Sequence, residues 1–167
     1  MKLTQAEPSI FLGKVGLEYF EFEEDFMESN MRCIPMAVRF KLDTVRIKLK
    51  LSAWAKFSSE EKMALAVDPC VTEAQQDLYA VGLENLILLY TGQQACELPA
   101  NKVVDAWTAG NQIPQSMREK ALEFGWEVGL PAWNTLSDLQ RYSLLKLTNP
   151  SHQNKNFPIA MREFGLV

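Results

Sequence analysis

Reactive side chains are scarce in this chain. One histidine, His152, and three cysteines, Cys33, Cys70 and Cys96, are all that its 167 residues provide. A single imidazole excludes a His-rich metal site. Three widely spaced cysteines, an odd number, describe free thiols in a reducing cytoplasm rather than a disulfide framework. No Gly-rich phosphate loop, GxSxG elbow or HExxH stretch occurs. The longest apolar run, at 86–90, is far too short to cross a bilayer, so no membrane association is expected. The first residues, MKLTQAEPSIFLGKVGLEYF, carry one early lysine and an interrupted apolar stretch, a poor signal peptide. Basic charge is not in excess either. Lys and Arg number 17 against 21 Asp and Glu, a net charge of −4, which argues against nucleic-acid binding because phosphate neutralisation needs a basic surface.

What the sequence does have is a repetition. Residues 34–67 (IPMAVRFKLDTVRIKLKLSAWAKFSSEEKMALAV) align without gaps on 113–146 (IPQSMREKALEFGWEVGLPAWNTLSDLQRYSLLK) at an offset of 79. Nine of the 34 positions are identical: Ile34/Ile113, Pro35/Pro114, Arg39/Arg118, Lys41/Lys120, Leu51/Leu130, Ala53/Ala132, Trp54/Trp133, Ser58/Ser137 and Leu65/Leu144. That is several times what composition alone would give, and it points to an internal duplication.

Both copies share one grammar. Pro35 and Pro114 sit where a helix can begin, since the first helical position needs no N–H and proline presets φ. Each helix gives way to alternation with a period of two: Val45, Ile47, Leu49, Leu51 in one, Phe124, Trp126, Val128, Leu130 in the other. This suggests short extended segments, which we expect to pair as a small ribbon. A Trp-bearing helical turn follows (52–57; 131–136). Then Ser58-x-x-Glu61 and Ser137-x-x-Gln140 match the capping box. These helices stop before Pro69 and Pro150, because proline disfavours helical geometry in the residue ahead of it. Between the copies, 72–90 reads as the strongest helix, opened by Thr72-x-x-Gln75 and closed by Gly92. Leu78, Val81, Gly82, Asn85, Leu86 and Leu89 share one side, Leu83, Ile87, Leu88 and Tyr90 widen the apolar surface, and the helix is expected to be largely buried. The expected architecture is mainly α: residues 1–16 form a weakly ordered arm, and 17–167 form a single helical domain built on the duplication. Within it, 18–28 alternates six acids with aromatics. The aromatics need burial, and the acids are expected in water.

Candidate chemistry is sparse. Trp54 and Trp133 read as core anchors. Arg39/Arg118 and Lys41/Lys120, basic in both copies, have two readings: a cap or ion-pair partner at a helix end, or a binder of anions. Arg32 and Cys33 stand just ahead of a helix start, where backbone N–H groups favour anions and lower a thiol pKa. The stretch PSHQNKNF (150–157), with His152, Asn154 and Asn156, is dense in hydrogen-bonding side chains and reads as a recognition loop or as a solvated connector capping the last helix. A zinc site from Cys33, Cys70 and His152 is conceivable, but the spacing matches no motif, and no metal or cofactor is expected.

Several of these strings carry a resemblance. FEFEEDF (20–26), RCIPMAVRFKLD (32–43), IKLKLSAW (47–54), PSHQNKNF (150–157) and REFGL (162–166) are similar to the nitrate reductase-associated protein family, over roughly residues 17–167. The resemblance implies a small cytoplasmic protein of nitrate assimilation, an accessory or maturation factor for a molybdenum-dependent nitrate reductase. It supplies no catalytic residues. The expectation is therefore a non-enzymatic protein that binds nitrate reductase. The alternatives are an oxyanion or small-molecule sensor or carrier, taking nitrate or molybdate near Arg32, Arg39 or Arg118, and an enzyme using Cys33 or His152. A pocket enclosing Arg32, Cys33 and His152 would favour the alternatives. An exposed apolar patch without a deep pocket would favour the accessory protein.

Overall fold

Three reciprocal capping boxes set the frame of this computed structural model, which describes residues 17–28, 30–99, 106–150 and 155–167. At Ser58, Thr72 and Ser137 the hydroxyl accepts the N–H three residues on. The Glu61, Gln75 and Gln140 side chains in turn accept the cap residue's own N–H. Each box satisfies two otherwise orphan donors of a first turn. The helix boundaries then follow the sequence closely.

The chain is mainly helical. In order it runs α1 (Glu24–Glu28), α2 (Met36–Val45), β1 (Ile47–Lys48), α3 (Leu51–Trp54), α4 (Ser59–Val67), α5 (Glu73–Thr91), β2 (Cys96–Glu97), α6 (Gln115–Glu123), α7 (Leu130–Thr135), α8 (Asp138–Leu147) and α9 (Asn156–Glu163), with a 3-10 turn at Glu21–Glu23. Pro35 and Pro114 are the residues before the first helical turn rather than inside it. Gly92 ends α5 in the left-handed conformation, which glycine enters at no steric cost.

Among the described residues the fold divides into two compact units: 17–19 with 23–28 and 30–99, and 20–22 with 106–150 and 155–167. In the first, Met27, Met31, Val38, Trp54, Leu83 and neighbours from α1 to α5 form one buried cluster. In the second, Trp133, Tyr142, Met117, Leu144, Phe157 and Met161 are buried. Trp107 meets Tyr142 edge-on at 5.2 Å between ring centroids. The tryptophans behave as anchors: Trp54 and Trp133 are both fully buried.

A two-stranded antiparallel ribbon is present, with Ile47 opposite Glu97 and Lys48 opposite Cys96. Its second strand is therefore 96–97. The alternating segment ahead of α7, among the described residues, forms no strand. Two further features differ from the sequence reading. Of the acids expected in water, Glu23 is buried, and its carboxylate accepts the Met36 N–H at 2.7 Å. The reason is local: Pro35 has no side-chain hydrogen bond to offer α2, so a carboxylate from the lead-in segment supplies the acceptor. The other difference concerns α5. Only Tyr79, Leu83 and Ile87 are buried along it, whereas Leu78, Val81, Leu88 and Leu89 are exposed. Its apolar residues surround the axis. The Tyr79 side turns inward, and its hydroxyl donates to the Leu65 carbonyl at 2.8 Å.

Candidate partner-binding surface

The basic residues singled out in the first repeat prove to be fasteners. Lys41, on α2, directs its ammonium at the carboxyl end of α4, where it donates to the carbonyls of Ala66 (2.8 Å), Asp68 (2.6 Å) and, more distantly, Leu65 (3.4 Å). The same ammonium lies 5.6 Å from the Tyr79 ring centre. Burial lowers its pKa, and Cys70, Asp68 and Glu18 oppose that effect. A cation on the last carbonyls of a helix is the favourable end of the macrodipole interaction. Arg39 donates from Nε to the Ile34 carbonyl at 2.9 Å. Lys120, the counterpart of Lys41 at the 79-residue offset, is buried and pairs with Glu123 at 2.6 Å. Arg118 is exposed.

Arg32 is exposed, and Cys33 is a half-buried free thiol. The helix start they precede is already served by Glu23, so the anion-favouring N–H groups there meet a carboxylate of the chain itself. Burial raises the Cys70 pKa, with Lys41 opposing, which leaves this thiol a poor nucleophile at neutral pH. Asn156 is the half-buried first residue of α9. His152 and Asn154 lie outside the described residues, and with them the proposed third member of a Cys33/Cys70/His152 site. Among the described residues, no three His, Cys, Asp or Glu side chains gather to hold a metal ion.

One hollow of about 500 Å³ lies beside the ribbon, lined by Lys48, Leu49, Lys50 and Ala53, by Ile87 and Thr91 of α5, and by 93–99. It encloses neither Arg32 nor Cys33.

Among the described residues, the outer side of α5 carries four exposed large apolar side chains. Leu78 and Leu89 are 75% and 72% exposed, and Val81 and Leu88 about half. The acids Glu73, Asp77 and Glu84 lie on the same helix, which has no Lys or Arg at all. Single exposed leucines are ordinary, but several on one helix face mark a contact surface. The sequence reading names all four and expects them buried, whereas they are exposed. It also missed Arg141, which is buried in the second unit. That guanidinium donates to the carbonyls of Trp107, Trp133 and Leu136 and pairs with Asp138. Its one signal was the Lys62/Arg141 match at the repeat offset.

These features define a mainly helical protein whose most distinctive outward chemistry, among the described residues, is an apolar helix face flanked by acids. The chain belongs to the conserved nitrate reductase-associated protein family, whose model matches residues 19–164. No curated protein and no solved structure matches it. Among the described residues no helix is long and apolar enough to cross a membrane.

Proposed function

We propose that this chain is a non-catalytic accessory factor of a molybdenum-dependent assimilatory nitrate reductase, acting in the cytoplasm by binding the reductase or a precursor of it. The family description supports the link to nitrate reductase. The observation that carries protein binding is the exposed apolar side of α5, since contiguous apolar surface on a soluble protein marks an interaction site. The basic residues that an anion carrier would use are partly spoken for: Lys41 is held by carbonyls and Arg39 by Ile34. An enzyme built on Cys33 would need an adjacent base, and the chain has a single histidine to offer.

The hollow beside the ribbon supports a second reading, a small-molecule carrier. Lys48 and Lys50 would supply positive charge to an oxyanion such as nitrate or molybdate, over an apolar floor of Leu49, Ala53 and Ile87.

Deleting the gene should lower nitrate reductase activity and slow growth on nitrate, with growth on ammonium unchanged. Unimpaired nitrate growth in the deletion strain would sink the accessory reading. Calorimetric titration with nitrate and molybdate addresses the carrier. Stoichiometric binding lost in Lys48→Ala/Lys50→Ala would move the assignment to the second reading.

A further inference from the structure

We infer that the outer face of α5 is a helix-docking seam whose occupant is a basic amphipathic helix of the partner protein. The inference rests on the protein-binding reading above and adds to it the surface and the partner's chemistry.

The exposed residues follow a heptad. Ala74, Leu78, Val81, Asn85 and Leu88 are spaced 4, 3, 4 and 3 apart, and all are exposed. Such spacing keeps one narrow stripe facing a second helix along a length of about 21 Å, the rise from Ala74 to Leu88. Asn85 interrupts the stripe at one seam position. A single polar residue there lowers affinity but selects register and partner.

Charge selects the occupant. Asp77 and Glu84 each stand one residue ahead of a seam position, on the same flank of the stripe. Antiparallel pairing with a second copy would set these acids against each other. Parallel pairing would set them against Gly82 and Leu89. Neither arrangement offers a base. A helix with Lys or Arg along that edge complements both acids.

Gly82 supplies an independent observation. In mid-helix, glycine costs about 1 kcal/mol relative to alanine. Nothing in the chain's own packing requires it: a Cβ at 82 would meet no atom within 4 Å, and its φ is not left-handed. A residue that weakens its own helix and faces open space beside the seam fits the close approach of another helix.

The test uses the full chain and a fluorescent synthetic helix of about three heptads, with apolar seam positions, one Asn and Lys on both flanks. A control carries Glu on the flanks. The Lys peptide should bind, more weakly as salt rises, and the Glu peptide should not. Leu78→Asp should weaken the Lys peptide at least about tenfold. Asp77→Lys/Glu84→Lys should reverse the preference between the two peptides. Gly82→Gln should raise the melting temperature while weakening binding, an outcome that misfolding cannot produce. Equal binding of both peptides, no binding, or binding indifferent to Leu78→Asp would overturn the seam. So would a dimer of the free chain that Leu78→Asp dissociates, which would give the face to a second copy. Peptide binding that appears only in Ile10→Asp/Phe11→Asp would give it to the chain's own N-terminal residues. Purified nitrate reductase separates this inference from the function it rests on. Reductase captured equally by wild type and Leu78→Asp keeps the partner and rejects the seam. Seam-dependent peptide binding without reductase capture keeps the seam and rejects that partner.

Discussion

The two tryptophans are equally buried and unequally served. In the first unit the Trp54 indole N–H donates to the Met31 carbonyl at 2.7 Å. In the second, the Trp133 indole N–H is buried without an acceptor. At the 79-residue offset Met31 corresponds to Gly110, and the Gly110 carbonyl accepts the Asn134 side-chain amide at 3.0 Å instead. The cations at the aligned positions 62 and 141 differ in the opposite sense. The Lys62 ammonium lies 5.5 Å from the Trp54 ring centre and makes no side-chain hydrogen bond among the described residues. Its counterpart Arg141 fastens three carbonyls and Asp138. One unit satisfies its tryptophan and leaves its cation with the ring, whereas the other satisfies its cation and leaves its tryptophan unbonded. Two tryptophans matched by the sequence alignment are thus both buried, with different polar partners around them.

The first way to break the comparison is to remove the anchors. Trp54→Ala and Trp133→Ala should each cost roughly 3–5 kcal/mol in denaturant melts, the range of large-to-small core changes. A melting-temperature loss of one or two degrees in either would contradict the core assignment.

The cations come next. Arg141→Met should cost about 2–4 kcal/mol, because it strands carbonyls of Trp107, Trp133 and Leu136 in the interior. Lys62→Met should change stability by less than about 1 kcal/mol, since its thioether fills similar space and no hydrogen bond is lost. The two cations also separate by pH. Burial lowers the Lys62 pKa, so the folded state binds fewer protons than the unfolded state as pH nears the ordinary lysine range. Stability therefore rises with pH in that window, from the lowered value up to the ordinary one. Lys41, lowered for the same reason, contributes with the same sign. Lys62→Met should flatten the rise without abolishing it. An unchanged slope would show that Lys62 titrates normally in the folded protein.

The smallest effect is the most diagnostic. Trp54→Phe loses a made hydrogen bond and leaves the Met31 carbonyl unpaired, whereas Trp133→Phe removes an N–H that has no acceptor. Trp54→Phe should be the costlier by about 1–2 kcal/mol. Equal losses would mean that the Trp133 indole finds a partner in solution.

Local chemistry accounts for what was legible in advance. The capping boxes, the proline stops and the Gly92 terminus are encoded within a few residues, and each was readable before any coordinate. The buried tryptophans were readable because the repeat marks them. What depends on distant partners was not. The strand that meets Ile47–Lys48 lies at Cys96–Glu97 and has no alternation of its own. Glu23 looks like any surface acid until α2 proves to lack a side-chain cap. The expected burial of α5 is met only on one side because its apolar residues surround the axis. The inward side is that of Tyr79, Leu83 and Ile87, and the Tyr79 hydroxyl donates to the Leu65 carbonyl. Of the candidate residues, Lys41 and Arg39 make hydrogen bonds to backbone carbonyls of the chain itself. The α5 face was visible as a list of residues and invisible as a surface.

The carbonyls around Lys41 also have a consequence for reactivity. An amine whose N–H groups are donated to the Ala66, Asp68 and Leu65 carbonyls reacts more slowly with acylating reagents than the exposed Lys48 and Lys50. The rate of modification at Lys41 thus reports how often its ammonium leaves the carbonyls at the far end of α4.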